Sequence, residues 1–247
     1  MGSVGGRNKT YTTTEMKDLF NNALKIKDKQ TYKELQDKLE MSGDDLGRPH
    51  DENTLLVGAF NKSDMINRYL RTDGDRFTED DLWWQRDMAE KYSKEQAAQD
   101  IAKIDSYMKP SPQDIVVTRY TDDRQLEKLL GQKVNISEMI KAVEQGGASK
   151  KDVISSIDGK SYVEKGYTHT SWGRKSPVFV DTNPVKLEMV VKKGTPIYLT
   201  NNHAESEVVV GRNVRYTVTP YAKFEYVHGK MASRKVVLRV VVSSDKG

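Results

Sequence analysis

The strongest constraint on the fold is a change of hydrophobic period part-way along the chain. As far as Met108 the apolar residues recur at helical spacing, and from Gly166 onward they alternate or run as β-branched clusters. Thr12-x-x-Glu15 reads as a capping box, followed by Met16, Leu19, Phe20, Ala23 and Leu24 on one stripe. A second helix is predicted over Thr31 to Met41, with Tyr32, Leu35 and Leu39 together and Ser42-Gly43-Asp44-Asp45 breaking it. Leu55, Leu56 and Phe60 continue the helical pattern, and Ser63 is expected to cap a helix ending before Asp73-Gly74-Asp75. That acidic turn lacks the later ligands of a calcium loop. Thr78-x-x-Asp81 and Ser93-x-x-Gln96 open two further helices, the second carrying Ala97, Ile101, Ile104 and Met108 until Pro110 and Pro112.

The texture then changes. Asp114 to Tyr120 reads as the first strand, and short amphipathic helices are predicted around Leu126–Leu130, Met139–Val143 and Val153–Ile157. Strands are expected at Tyr167–Ser171, Lys186–Val191, Ile197–Leu199, Glu207–Val210, Val214–Thr219, Phe224–Val227 and Val236–Val242. Helices first and antiparallel strands later define an α+β fold, and no GxGxxG follows any predicted strand. A soft boundary falls near residue 50. Residues 1–50 read as an N-terminal helical arm, with 1–10 as a flexible leader, and 51–247 as the main domain, because the arm alone has too little apolar surface.

Composition narrows the function. With 36% hydrophobic and 31% charged residues and a mean hydropathy of -0.73, the chain reads as a soluble globular protein. No apolar run has membrane-spanning length, and no signal peptide of the usual kind opens the sequence. The absence of cysteine excludes disulfides and thiolate nucleophiles. A net charge of +4 is spread among acidic residues, so nucleic acid is not an expected partner. His50, His169, His203 and His228 show no ligand spacing, and no metal is expected. Gly159-Lys160-Ser161 imitates the end of a phosphate-binding loop, but Ile154 stands where its first glycine belongs.

Chemistry concentrates at Asn201-Asn202-His203-Ala204-Glu205-Ser206-Glu207, a loop running into a strand. In extended backbone Glu205 and Glu207 would share a face about 6.5–7 Å apart and could serve one ligand, one carboxylate as base and the other orienting a reactant. On spacing alone the pair suits a solvated strand start better. Earlier in the chain stand Arg119 near the end of the first strand and the hydroxyl-bearing segment Thr168-His169-Thr170-Ser171 after Gly166-Tyr167.

Taken in order, Arg119, then Tyr167 to Ser171, then Glu205-Ser206-Glu207 resemble the toxin-type, arginine-specific mono-ADP-ribosyltransferases, whose signature is R, an aromatic-x-S-T-S strand, and E-x-E. Residues 66–71, 101–106 and 190–196 also look like that family, and the likeness covers roughly residues 52 to 245. It implies two antiparallel sheets around an NAD cleft with helices packed on one side. It implies transfer of ADP-ribose from NAD to an arginine of a target protein, with release of nicotinamide and a side NAD glycohydrolase activity. Arg119 would hold the phosphates, with Tyr120, His169, Thr170 and Ser171 lining the cofactor site. Glu207 would bind the ribose hydroxyl, and Glu205 would position the acceptor guanidinium and take its proton. Glutamate at that first position favours arginine, whereas glutamine favours asparagine. Tyr198, Asn202 and Glu205 would recognise the target. The resemblance further implies a toxin or phage-borne effector acting in the cytoplasm of a target cell, with a delivery or activating partner. Two departures stand out: His169 occupies the place of the first serine, and Tyr120 follows the arginine where glycine is frequent. The alternative of another class is a non-catalytic transferase-like adaptor.

Overall fold

The structure is a computed structural model, and it describes residues 12–41, 63–77, 91–122, 135–149, 161–172, 182–200, 206–228 and 232–244, with the short pieces 127, 133 and 151–152. The helices predicted over 55–60, 78–88, 126–130 and 153–157 fall wholly or largely outside these residues. Within them are helices α1 (Thr13–Asp28), α2 (Tyr32–Lys38), α3 (Ser63–Arg71), α4 (Lys94–Tyr107) and α5 (Ile136–Glu144). Capping boxes at Thr12/Glu15, Thr31/Glu34 and Ser93/Gln96 set the starts of α1, α2 and α4, each satisfying two backbone donors that a helix start leaves open.

The strands are β1 (Lys109–Pro110), β2 (Ile115–Thr121), β3 (Ser161–Glu164), β4 (Thr168–Ser171), β5 (Val185–Val191), β6 (Pro196–Leu199), β7 (Glu207–Val210), β8 (Val214–His228) and β9 (Ala232–Ser244). They form one sheet in the order β1-β6-β7-β4-β2-β5-β9-β8-β3. All pairs are antiparallel except β5 with β9. The joint between β4 and β2 is a single residue pair, Thr118 with Ser171, while β2 meets β5 over its whole length. Where two antiparallel sheets were expected there is thus a single, mostly antiparallel one, whose four-stranded and five-stranded parts are hinged at that pair.

Three strands differ from expectation in an instructive way. The stretches Val214–Thr219 and Phe224–Val227 belong to one strand, β8, whose pairing with β9 is irregular between Val218 and Ala222. Pro220 lies in that interval and cannot donate to a ladder. β3 gave no signal because all four of its residues are half-buried, leaving no alternation to read. β1 is two residues long and ends at Pro110.

The core lies on both faces of the sheet. Ile115 and Val117 of β2 point into the main cluster with Met189, Val210 and Leu238, and α2 with its C-cap residue adds Tyr32, Leu35 and Leu39 to it. Val116, the residue between them, faces the other way, where Met16, Phe20 and Ala23 of α1 cover it together with Val190 and Val241. The Arg239 guanidinium lies 4.7 Å over the Phe20 ring, and Lys27 Nζ donates to the Val116 carbonyl at 3.2 Å. α3 and α4 brace the entry to β4. Asn67 Oδ1 accepts from the Tyr167 amide at 2.6 Å, and the Tyr167 hydroxyl donates to Asp105, which also takes a forked bond from Arg212. Gly166 has no room for a side chain, since a Cβ would sit 2.6 Å from Asn67 Oδ1.

Phe20→Ala is expected to cost about 3–5 kcal/mol in urea unfolding, because Phe20 is 1% exposed and closes the α1 side of the sheet. A loss below about 1 kcal/mol would mean that α1 is only loosely attached.

Candidate active site

The hinge pair of the sheet positions the chemistry-bearing residues. Beyond Thr118–Ser171 the β2–β4 ladder stops, and the Arg119 side chain takes over, its Nη1 donating to the His169 carbonyl at 2.6 Å. A guanidinium suits this task because it carries several donors in a rigid plane and stays charged. Burial, the largest influence, lowers the Arg119 pKa, with Tyr216 opposing and the neighbouring Arg71 adding to the effect.

On β4 the residues divide by face. The Thr170 hydroxyl donates to the Val208 carbonyl at 2.6 Å, and Thr168 Oγ1 accepts from the Tyr216 hydroxyl at 2.8 Å. Both are buried and tie strands together. His169 points the other way, with Nδ1 2.9 Å from Glu207 Oε1. Ser171, 3% exposed, lies in register with Glu207 as well as with Thr118. His169 thus bonds the glutamate through its imidazole.

Glu207 begins β7 and keeps about a fifth of its side chain accessible. Burial, the largest single influence, pushes its carboxyl upward. The His169 hydrogen bond and charge, the Thr200 side-chain hydrogen bond and the Arg119 charge together outweigh it, and the pKa falls below the ordinary glutamate value. Glu207 is therefore ionised at neutral pH, an acceptor held in a fixed direction. Ser206 has φ +47°, a left-handed conformation, so the backbone turns between the two glutamate positions. Glu205, Asn202 and the rest of 201–205 lie outside the described residues.

Two predicted residues are placed away from this cluster. Tyr120 is buried and paired in register with Lys186, and burial, its largest influence, raises its pKa, followed by the charges of Lys186, Glu225 and Glu188. Its neighbour Arg119 is instead under the influence of Tyr216, Arg71 and Glu164. Adjacent strand residues face opposite ways, so Tyr120 cannot share the Arg119 site. Tyr198 sits inside β6, 1% exposed and edge-on to Tyr107 with ring centroids 6.3 Å apart. A target protein cannot touch it.

Other residues enter that sequence reasoning passed over. Arg71 of α3 is ion-paired with Glu164 at 2.8 Å and acts on Arg119, so two guanidiniums share one region. Tyr32 and Gln36 of α2 bond the carbonyl of Thr200, and Tyr32 bonds that of Glu207 as well. Arg71 stood within a stretch recognised only as family-like. Tyr32 and Gln36 carried no signal beyond their helical stripe, because their partners are backbone atoms about 170 residues away.

A guanidinium on the main chain of His169 and an ionised carboxylate on its imidazole thus meet at one strand, and comparison with known proteins gives the family. The profile of the ADP-ribosyltransferase exoenzymes matches residues 27–243. The chain belongs to the ADP-ribosyltransferase exoenzyme family, whose chemistry is transfer of ADP-ribose. Comparison with curated protein sequences returns no match. Among solved structures it is similar in fold to Plx2a, an ADP-ribosyltransferase toxin from Paenibacillus larvae. There the TM-score is 0.54 at 17% identity, covering 92% of this chain and 96% of that one. C3stau2 from S. aureus, solved with NAD, gives 0.51 at 19% identity over 96% and 99%. C2-I, the enzymatic component of the C2-toxin from Clostridium botulinum, gives 0.57 at 14% identity, covering 89% of this chain and 48% of that one.

A carboxylate with a depressed folded-state pKa stabilises the protein above its unfolded value, and that stability is lost as the pH falls through the folded value. The stability advantage of wild type over Glu207→Gln in urea unfolding is accordingly expected to be full near neutral pH and to shrink below about pH 4.5. An advantage constant down to about pH 3 would contradict the assigned ionisation.

Proposed function

We propose that this protein transfers ADP-ribose from NAD to an arginine side chain of a target protein, with NAD hydrolysis as a side reaction. The observation that carries the reading is the bonded series Arg119, His169, Glu207 at the hinge of the sheet. The donor set suits a dinucleotide: Arg71 lies near enough to raise the cost of the Arg119 charge, which an anionic diphosphate would relieve. Arg119 and Arg71 would hold the phosphates, and Ser171, His169 and Glu207 would hold the nicotinamide ribose. Bound NAD supplies an electrophilic ribose carbon as its bond to nicotinamide breaks.

The side chains of this chain do the rest. Glu207, ionised and fixed by His169 and Thr200, accepts a ribose hydroxyl and places negative charge where positive charge develops. His169 takes over the orienting role of a serine, and its larger ring sets the carboxylate from a greater distance. Glu205 orients the acceptor guanidinium and removes a proton as the new bond to ribose forms; a guanidinium with pKa above about 12 is a poor nucleophile until then. The choice of arginine rests on glutamate at position 205.

The protein acts as a toxin or injected effector inside a target cell, with the helices of residues 1–50 packed as an appendage on the 51–247 catalytic domain. A separate delivery partner is supported by the fold likeness to C2-I, an enzymatic toxin component.

Nicotinamide release from NAD, with and without agmatine as arginine mimic, tests the proposal. Glu207→Gln is expected to lower both transfer and hydrolysis by about 10²–10⁴-fold, and Glu205→Gln to suppress transfer far more than hydrolysis. Equal losses would overturn the division of roles. A folded protein that neither binds nor turns over NAD would instead be a transferase-like adaptor.

A further inference from the structure

The segment between Thr200 and Glu207 enters and leaves through a narrow neck. The Thr200 amide donates to the Glu207 carbonyl at 3.2 Å, and the Thr200 side chain hydrogen-bonds the Glu207 carboxylate. Onto this neck comes a residue from the far end of the chain. The Tyr32 hydroxyl lies 2.8 Å from the Thr200 carbonyl and 2.5 Å from the Glu207 carbonyl, so one phenolic proton serves both strands of the neck. Gln36, one helical turn further on, adds a bond from Nε2 to the Thr200 carbonyl at 3.3 Å.

The platform bearing these side chains is fixed at both ends. Thr31 and Glu34 cap its start reciprocally, and Lys109 Nζ donates to the Leu39 carbonyl at 2.8 Å at its finish. Leu35 is fully buried between them, Tyr32 is 8% exposed and Gln36 2%. Buried hydrogen bonds from a pinned helix to two backbone carbonyls resist sliding of one strand past the other. A single helix thus governs where the Glu207 main chain sits relative to Thr200.

We infer that Tyr32, assisted by Gln36, is a positioning residue that sets the register between Glu207 and Thr200, the two ends of the stretch that carries Glu205 in the sequence. This deepens the arginine-transfer reading and rests on it: holding a ribose needs Glu207 alone, whereas transfer needs both glutamates in fixed relation. Misplacing reacting groups by about 1 Å can cost on the order of 10²-fold in rate.

Tyr32→Phe is the discriminating variant. It keeps the ring in the core, and each carbonyl keeps a second donor, Gln36 for Thr200 and the Thr200 amide for Glu207. The fold should survive, with a melting temperature within a few degrees of wild type. Expected are faster hydrogen exchange of the Thr200 amide, a drop of about tenfold in the ratio of agmatine transfer to NAD hydrolysis, and a KM for NAD within about twofold of wild type. Tyr32→Phe with wild-type exchange and a wild-type ratio would overturn the inference. So would a fall in transfer and hydrolysis together with lost stability, which marks a merely structural tyrosine. A wild-type protein without NAD turnover would sink the arginine-transfer reading and the catalytic part of the inference, and the neck itself would then stand or fall on the Thr200 exchange.

Discussion

The bond from the Arg119 guanidinium to the His169 carbonyl holds together what the sheet leaves apart. β2 and β4 share one ladder pair, so the main chain beyond it has no strand partner across the hinge, and a buried carbonyl left without a donor costs about 1–3 kcal/mol. A long charged side chain fills that role without closing the ladder. The two halves of the sheet stay connected, and the hinge remains a place where a ligand can lie against strand ends.

Burial works in opposite directions on the two charges of this hinge. It lowers the Arg119 pKa and would raise that of Glu207, each in favour of the neutral form. Glu207 escapes because three neighbours bond or attract its ionised form. Arg119 stays protonated because the arginine pKa begins so high. A half-buried ion series of this kind is costly to assemble and strongly directional once assembled, which favours preorganised chemistry over simple stability.

The first two helices belong physically to this arrangement. α1 covers one face of β2, β5 and β9 through Met16, Phe20 and Ala23, and α2 joins the main core while bonding the backbone beside Glu207. The family match likewise begins within α1, at residue 27. What looked in sequence like an arm is packed against the strands that carry the site. The hydrogen-bond partners of its two helices in the sheet lie more than 85 residues away.

The sequence alone determined the local elements and the chemical alphabet of the site. Thr12, Thr31 and Ser93 announced three helix starts, and β-branched runs announced β2, β5, β7 and β9, because caps and periodicity are properties of neighbouring residues. Arg119, His169 and Glu207 were legible by type and order. Tertiary structure decided the rest. The single-pair hinge, the parallel pairing of β5 with β9, the left-handed Ser206 that turns the chain before Glu207, and the opposite facing of Tyr120 all depend on strand register. So does the burial of Tyr198 and the reach of Tyr32 to two carbonyls. Register is fixed by contacts between segments far apart in the chain, and a one-residue change in it turns every side chain to the other face, so no local pattern can encode it.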